Sequence, residues 1–265
     1  MCSILLPSCT QATVQPATAP AFAVSAQPPA DLENWFKAIP DRPQIDSRLP
    51  NRGRMHCGPT AVSGALMWFA RNGFPELLSE AKDDDDDLQY AMIRRLEKMM
   101  RTDPVKGTGP NAFLDGVKAY VESCGLREYA IEFCGYRSTP AWCKPTGKYP
   151  TPQWLARMNE GTAVTWLHIA WYKPGPEGKG LVRSGGHWVT VIGVGRDAKG
   201  QEDAMCLTVV DPSNSTGTDW KKHTVRMVEM DDPALPGRYK LVGQIVRNNI
   251  TLVMLDNAVG LRLER

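Results

Sequence analysis

The chain has 265 residues, of which 42% are hydrophobic and 23% charged, and its formal net charge is +2 at pH 7. This length predicts one sizeable domain, and the composition allows a buried core while excluding collagen, coiled coil and wholesale disorder. The near-neutral charge argues against a dedicated nucleic-acid binder, and no run approaches the roughly 20 apolar residues that a transmembrane segment needs.

The N-terminal segment differs in composition from the rest of the chain. Residues 1–30 contain no Lys, Arg, Asp or Glu, and such a segment buries too little apolar surface to offset the entropy of ordering. It is predicted to be a disordered tail or the remnant of an export signal, in which the sequence before Cys9 resembles a lipoprotein cleavage box. The export alternative predicts a secreted or cell-envelope protein, with a lipid anchor at Cys9 as one expectation; the other alternative is a cytoplasmic protein. The folded domain is predicted to span residues 31–265.

The first clear helix begins at Cys57 and ends before Asn72-Gly73. Pro59 stands in its first turn, where the missing N–H costs no hydrogen bond. Small residues on one side and larger apolar residues on the other leave almost no polar face, so this helix is predicted to be buried. Further helices are predicted at residues 88–101, 111–124 and 152–159.

The second half of the chain changes to segments rich in β-branched and aromatic residues, separated by Gly, Pro, Asn and Asp clusters. Strands are predicted at residues 162–172, 187–194, 204–211, 223–230, 239–246 and 250–255, with a further edge strand at 127–133. Helices followed by strands predict an α+β domain with an antiparallel sheet.

Three residues in this pattern suit nucleophilic catalysis. Cys57 stands at a helix N-terminus, where unpaired N–H groups and the helix dipole favour a thiolate. His187 follows two glycines at the mouth of an apolar strand, and Asp211 ends the next strand. We predict that these residues act as nucleophile, general base and acid, and the group that orients the imidazole.

A hairpin between the strands predicted at residues 187–194 and 204–211 is expected to bring His187 and Asp211 together. Pairing Val194 with Ala204 places His187 directly opposite Asp211, with side chains about 5 Å apart. A one-residue slip would send the two side chains to opposite faces.

Three segments, in this order, resemble a known family: Cys57-Gly58-Pro59-Thr60-Ala61, Gly186-His187-Trp188-Val189 and Asp211-Pro212. They are similar to the bacterial papain-like cysteine peptidases related to the double-glycine (bacteriocin) leader peptidases. Ile39-Pro40-Asp41-Arg42-Pro43-Gln44 also fits that family's Pro-x-x-x-Gln segment. The resemblance implies a papain-like cysteine protease fold, with a buried N-terminal helix carrying Cys57 packed on an antiparallel sheet that carries His187 and Asp211. No transporter is present, so the leader-peptide substrate is not carried over.

The resemblance also implies an amide side chain that donates to the oxyanion. Gln44 fits the pattern of the relatives, whereas Asn51, six residues before Cys57, fits the spacing in papain-like enzymes. We favour Gln44, with the backbone N–H of Cys57 as a second donor, and keep Asn51 as the alternative.

The expected activity is that of a cysteine peptidase or amide hydrolase that acts on a peptide or protein through a thioester, without a cofactor. A peptidoglycan endopeptidase and a transglutaminase-like acyl transferase are alternatives with the same triad, and a catalytically silent peptide-binding module is a third. Competition between an amine and water, and activity on cell-wall fragments, would separate the enzymes. No Cys-x-x-Cys or His-x-x-x-His motif predicts a metal site.

The seven cysteines divide into three groups. Cys57 is expected to stay free and reactive, and two cysteines belong to the tail. The redox state of the other four is left open by the sequence; these are Cys124, Cys134, Cys143 and Cys206.

Overall fold

The computed structural model describes residues 43–78, 85–213, 223–231, 237–244 and 250–264. The predicted tail, with Cys2 and Cys9, lies outside the described residues, as does the start of the folded domain predicted at residue 31.

Four α-helices occur in the described part of the chain, and all four were predicted to within three residues at each end. They are α1 (Cys57–Arg71), α2 (Asp85–Met99), α3 (Pro110–Ser123) and α4 (Pro152–Arg157). Helix α4 shows why such starts are readable from sequence: Pro152 opens it, and the Thr151 hydroxyl accepts a hydrogen bond from the Trp154 N–H.

Eight strands are described, of which seven correspond to predicted segments. They are β1 (Tyr129–Gly135), β2 (Pro145–Gly147), β3 (Ala163–Pro174), β4 (Leu181–Arg196), β5 (Glu202–Val210), β6 (His223–Glu229), β7 (Tyr239–Val242) and β8 (Leu252–Leu263). Strand β2 was not predicted. Strands β4 and β8 are longer than predicted, with 16 and 12 residues, and β1 is an inner strand because it pairs with both β2 and β8.

The strands form a closed antiparallel barrel. Strands β8, β3, β4, β5, β6 and β7 are neighbours in that order, and Lys240 of β7 pairs with Met254 of β8 to close the ring. Strands β1 and β2 continue the sheet outside the ring. The papain-like fold predicted from the resemblance is therefore wrong, and the architecture is a barrel-like α+β arrangement. The cause is the length of β8, whose first half pairs with β7 and whose second half pairs with β1.

Two apolar clusters fill the molecule. Alternate residues of the barrel strands, such as Leu167, Val189 and Val209, point inward and form one cluster. The opposite face of the same strands, including Trp166 and Trp188, packs against α1, α2 and α3. Strands β3, β4 and β8 are thus apolar on both faces, because one face lies towards the barrel interior and the other packs against the helical layer.

Two hydrogen bonds attach the first turns of α1 to the barrel. Trp166 Nε1 in β3 and Thr190 Oγ1 in β4 both donate to the carbonyl oxygen of Ala61, at 3.2 and 3.0 Å. Trp188 stacks on Phe113 of α3, with ring centroids 3.8 Å apart. These contacts hold the N-terminal end of α1 against the middle of β4.

Five cysteines belong to the described residues, and all five are free thiols: Cys57, Cys124, Cys134, Cys143 and Cys206. None of the helices in the described ranges combines the length and apolarity that crossing a membrane requires.

Candidate active site

Cys57 is the first residue of α1 and is 8% exposed. The first N–H groups of a helix have no intrahelical partner, so they and the helix dipole stabilise negative charge on a group at this end. His56, the preceding residue, is buried at the helix start, where Nε2 lies 3.5 Å from Glu97 Oε2. This contact pairs His56 with α2, to which Glu97 belongs.

His187 lies inside β4 and not at its mouth as predicted, because residues 181–186 pair with the end of β3 and extend the strand. His187 is opposite Ile169, is 3% exposed, and its ring stacks on Trp171 at a centroid distance of 5.6 Å. Its Nε2 lies 2.6 Å from Asp211 Oδ1. The stacking on Trp171 and the hydrogen bond to Asp211 leave the imidazole little freedom to rotate.

Asp211 follows the last residue of β5 and is held by four hydrogen bonds. Oδ1 accepts from His187 Nε2, from the Ser213 N–H at 2.8 Å and from the Ser213 hydroxyl at 2.7 Å. Oδ2 accepts from Gln244 Nε2 at 2.8 Å. Every acceptor bond favours the ionised carboxylate and fixes its orientation.

The predicted strand register is wrong, although the contact it was meant to explain is present. Val194 pairs with Leu207 and not with Ala204, and the β4–β5 pairing contains two register shifts. Thr190 is opposite Val210, so the next residue, Asp211, lies opposite position 189. Positions 187 and 189 share a face of the sheet, so Asp211 is a diagonal neighbour of His187, and at this distance the two side chains can still touch.

The imidazole connects the thiol to the carboxylate. The Cys57 thiol interacts with the His187 imidazole, and because Nε2 is bonded to Asp211, Nδ1 is the ring nitrogen left available to the thiol. Burial acts to lower the pKa of His187, but the charge and hydrogen bond of Asp211, together with Cys57, outweigh it and raise the pKa to about 10. Burial likewise acts to raise the pKa of Asp211, yet His187 and Ser213 hold it well below its ordinary value. At pH 7 the imidazole is therefore an imidazolium.

This arrangement makes stability depend on pH. We expect the free energy of unfolding to fall as pH rises from about 7 towards 10. In that interval native His187, with a pKa of about 10, keeps a proton that an unfolded histidine, with a pKa of about 6.5, releases. The slope contributed by this one proton is at most about 1.4 kcal/mol per pH unit. Urea unfolding at pH 6, 7.5 and 9 measures it.

The matched control for this measurement is His187→Gln, which keeps an amide donor for Asp211 but cannot titrate. The variant should show a flatter dependence on pH between 7 and 9 than the wild type. Equal slopes in the two proteins would show that the proton on His187 does not stabilise the fold.

Gln44 and Asn51, the two candidates for the oxyanion donor, lie in different places. Gln44 lines the cavity beside Cys57 and is 4% exposed; its Nε2 donates to the carbonyls of Gly53, at 3.3 Å, and Arg54, at 2.9 Å. Asn51 is exposed and does not line the cavity, and its Nδ2 donates to a carbonyl in the neighbouring loop. The loop is tight, because a Cβ at Gly53 would lie 1.8 Å from the Gln44 carbonyl oxygen. Gln44 is therefore the better placed of the two.

Three residues of the site escaped the sequence analysis: Ser213, Gln244 and His223. The amide of Gln244 bridges Asp211 and His223, since its Oε1 lies 3.1 Å from His223 Nε2. Ser213 could have been found, because a serine two residues after an aspartate commonly donates to it in a turn. Gln244 follows β7 by two residues and lies 33 residues from Asp211 in the chain, and no local signal marks it.

A cavity of about 720 Å³ opens in front of these groups. Its lining includes Gln44, Cys57, His187 and Asp211, with the indole of Trp171 on one side. This volume lies within the range of sites that hold small molecules or several peptide residues. No cluster of three or more His, Cys, Asp or Glu side chains that could bind a metal occurs among the described residues.

Comparison with known proteins adds nothing to this geometry. No family model matches the chain, and no curated protein shows significant similarity to it.

Proposed function

We propose that this protein is a cysteine-type peptidase or amide hydrolase that acts through Cys57, His187 and Asp211. The observation that carries the proposal is the buried His187–Asp211 pair, hydrogen-bonded at 2.6 Å, with the Cys57 thiol interacting with the same imidazole and all three residues lining the 720 Å³ cavity. A nucleophile, a base in contact with it and a group that orients the base are the three parts that covalent acyl transfer requires.

In the first half of the reaction, the Cys57 sulfur attacks the carbonyl carbon of the bound amide and a tetrahedral oxyanion forms. Collapse of this species breaks the C–N bond, and the His187 imidazolium gives its proton to the departing amine. The amine leaves, and the acyl group stays on Cys57 as a thioester. The raised pKa of His187, about 10, keeps the proton available at neutral pH.

The oxyanion needs donors at the start of α1. The backbone N–H of Cys57 belongs to the first turn, where N–H groups have no helical acceptor. The Gln44 amide is the second donor in this proposal. Its 3.3 Å hydrogen bond to the Gly53 carbonyl is the weaker of its two contacts, so the N–H that makes this bond is the one that turns to the substrate oxyanion.

In the second half of the reaction, water replaces the amine. Neutral His187 removes a proton from the water as it attacks the thioester, a second tetrahedral species forms, and the C–S bond breaks. A carboxylic acid leaves, and Cys57 and His187 return to their starting state. Asp211 holds one tautomer of the imidazole throughout, because Nε2 stays bonded to Oδ1.

Selective alkylation tests the proposal. Iodoacetamide, quantified by peptide mass spectrometry at pH 7, should label Cys57 at least tenfold faster than Cys124, although Cys124 is the more exposed of the two. Burial raises the pKa of Cys124 and raises the pKa of Cys134 to about 11, and a thiol reacts slowly in its protonated form. Cys57 differs from these two thiols in its interaction with His187, which is its base in this proposal.

The control for this experiment is His187→Ala, which removes that partner and should slow labelling of Cys57 while leaving Cys124 unchanged. Equal rates at the two cysteines, or labelling of Cys57 that ignores the loss of His187, would contradict the proposal.

A further inference from the structure

Two β-bulges lie beside the candidate site, one on each side of β3. In the β3–β4 pairing, Ser184 is the extra residue next to Arg183. In the β3–β8 pairing, Asp256 is the extra residue. A bulge re-aims side chains relative to the regular alternation. Here the two bulges direct Arg183 and Asp256 toward each other, and Arg183 Nε lies 3.4 Å from Asp256 Oδ2.

Asp256 is fully buried, and its carboxylate contacts two guanidinium groups. Its Oδ1 accepts from the Tyr136 hydroxyl at 2.9 Å, and its Oδ2 accepts from Arg137 Nη2 at 3.1 Å as well as facing Arg183. One carboxylate between two guanidinium groups leaves one positive charge without a counter-charge. The anchor also fixes both arginines, so a ligand does not have to order them.

The unbalanced charge faces the cavity. Arg137 and Arg183 both line it, and Arg183 Nη2 lies 2.5 Å from where a Cβ on Gly186 would stand. Arg183 and His187, the base of the proposed reaction, line the same cavity. Arg183 has no acceptor for its Nη groups among the described residues. The Nε of Arg137 is buried and also lacks a partner there.

The rest of the cavity adds to this charge. Arg54 and Lys106 line the cavity too, and the one carboxylate in its lining, Asp211, is occupied by His187. His168 is neutral at pH 7, because burial lowers its pKa to about 4. Four cationic side chains thus surround the space in front of Cys57, with no free carboxylate in the described lining.

We propose that this cavity recognises a carboxylate of the substrate through Arg183 and Arg137, so that the protein acts on acidic peptides. The inference rests on the proposed function and names its substrate class. A guanidinium presents paired N–H groups that match a carboxylate in geometry, and a hydrogen bond between two charged groups is stronger than one between neutral groups. The carboxylate is either an acidic side chain near the scissile bond or the C-terminus of a short peptide.

Binding to an inert form of the full chain tests this inference separately from catalysis. The Cys57→Ala variant is titrated with fluorescein-labelled alanine hexapeptides that carry Glu or Gln at each position in turn. Each peptide is made both with a free C-terminal carboxylate and with a C-terminal amide. Fluorescence anisotropy gives the dissociation constant of each matched pair.

At least one carboxylate member should bind ten times or more tightly than its neutral partner. A preference for Glu at one position identifies a side-chain carboxylate, and a preference for the free acid identifies the C-terminus. Adding Arg183→Gln to Cys57→Ala should reduce the ratio of the two dissociation constants at least fivefold. Arg183→Lys should give a ratio between those of Cys57→Ala alone and of the Arg183→Gln protein. Arg226→Gln, which removes a cation outside the cavity lining, should leave the ratio unchanged.

Two results would overturn the inference. One is the absence of any preference for a carboxylate in the Cys57→Ala protein. This result can be obtained without any arginine variant, so it does not depend on whether those variants fold. The other is a preference that survives both Arg183→Gln and Arg137→Gln. Either result leaves the alkylation of Cys57 unaffected, and failure of that alkylation leaves the binding ratios measurable, so the two proposals fail independently.

Discussion

Replacing Cys57 by serine is expected to reduce turnover of an amide substrate by about 10⁴-fold or more while leaving the fold intact. Serine has nearly the same shape, so the first turn of α1 and its contacts through Ala61 are preserved. A serine hydroxyl is a much weaker nucleophile than a cysteine sulfur, so attack on the carbonyl is lost. Losses of this size are typical when the nucleophile of a catalytic triad is removed.

The measurement is kcat/KM on a peptide substrate of the wild type and the variant, with urea unfolding to show that stability changes by no more than about 1 kcal/mol. Cys206→Ser is the matched control. Cys206 is a buried free thiol in β5 that hydrogen-bonds to Asp203 at 3.4 Å, and a serine hydroxyl can make the same contact. Full activity of Cys57→Ser, or an equal loss in the control, would rule out Cys57 as the nucleophile.

Replacing Asp211 by asparagine is expected to lower turnover by about 10²- to 10⁴-fold and the free energy of unfolding by about 1–3 kcal/mol. The amide oxygen can still accept from His187 and Ser213. Its NH₂ group then faces Gln244 Nε2, which now donates to Asp211 Oδ2. Gln244 can reverse its amide to accept from that NH₂ group only if His223 changes tautomer, because the Gln244 oxygen now faces His223 Nε2. The His223 proton then moves to Nδ1, which has no partner among the described residues. Either arrangement leaves a buried donor unpaired, and His187 loses the negative charge that raises its pKa.

Asp203→Asn is the matched control for this substitution. Asp203 lies in β5, the strand that Asp211 follows, and its ion pair with Arg226 is on a half-exposed surface, where such pairs contribute little. Its turnover should stay within twofold of the wild type. Two results would contradict the role of Asp211: full turnover of Asp211→Asn, or a free energy of unfolding no lower than that of Asp203→Asn. Either would show that the carboxylate does not orient the imidazole or stabilise its positive charge.

Much of the local structure could be predicted because its signals are local. The start of α1 follows from a proline in its first turn, and the four helices are confirmed within three residues at each end. The three chemically reactive residues were singled out for similar reasons: a cysteine at a helix start, a histidine after two glycines, and an aspartate that ends an apolar strand. The structure brings these side chains together.

The predicted register shows where such reasoning stops. The hairpin of β4 and β5 was assumed to be regular, yet its pairing shifts twice between Val191 and Arg196. Asp211 still reaches His187, because it lies on the same face as a diagonal neighbour. Bulges depend on the twist and packing of the whole sheet, and the alternation of apolar residues does not report them.

The amino-acid pattern predicts the four helices, seven of the eight described strands and the side chains with the chemistry of a thiol nucleophile and its base, but not the short strand β2. Closure of the strands into a barrel, through the pairing of Lys240 with Met254, is seen only in the folded structure. The same holds for the contact of Gln244 with Asp211 and for the sharing of Asp256 by Arg183 and Arg137. The reason is physical: periodicity records local burial, whereas closure, register and bulges arise from contacts between segments far apart in the chain.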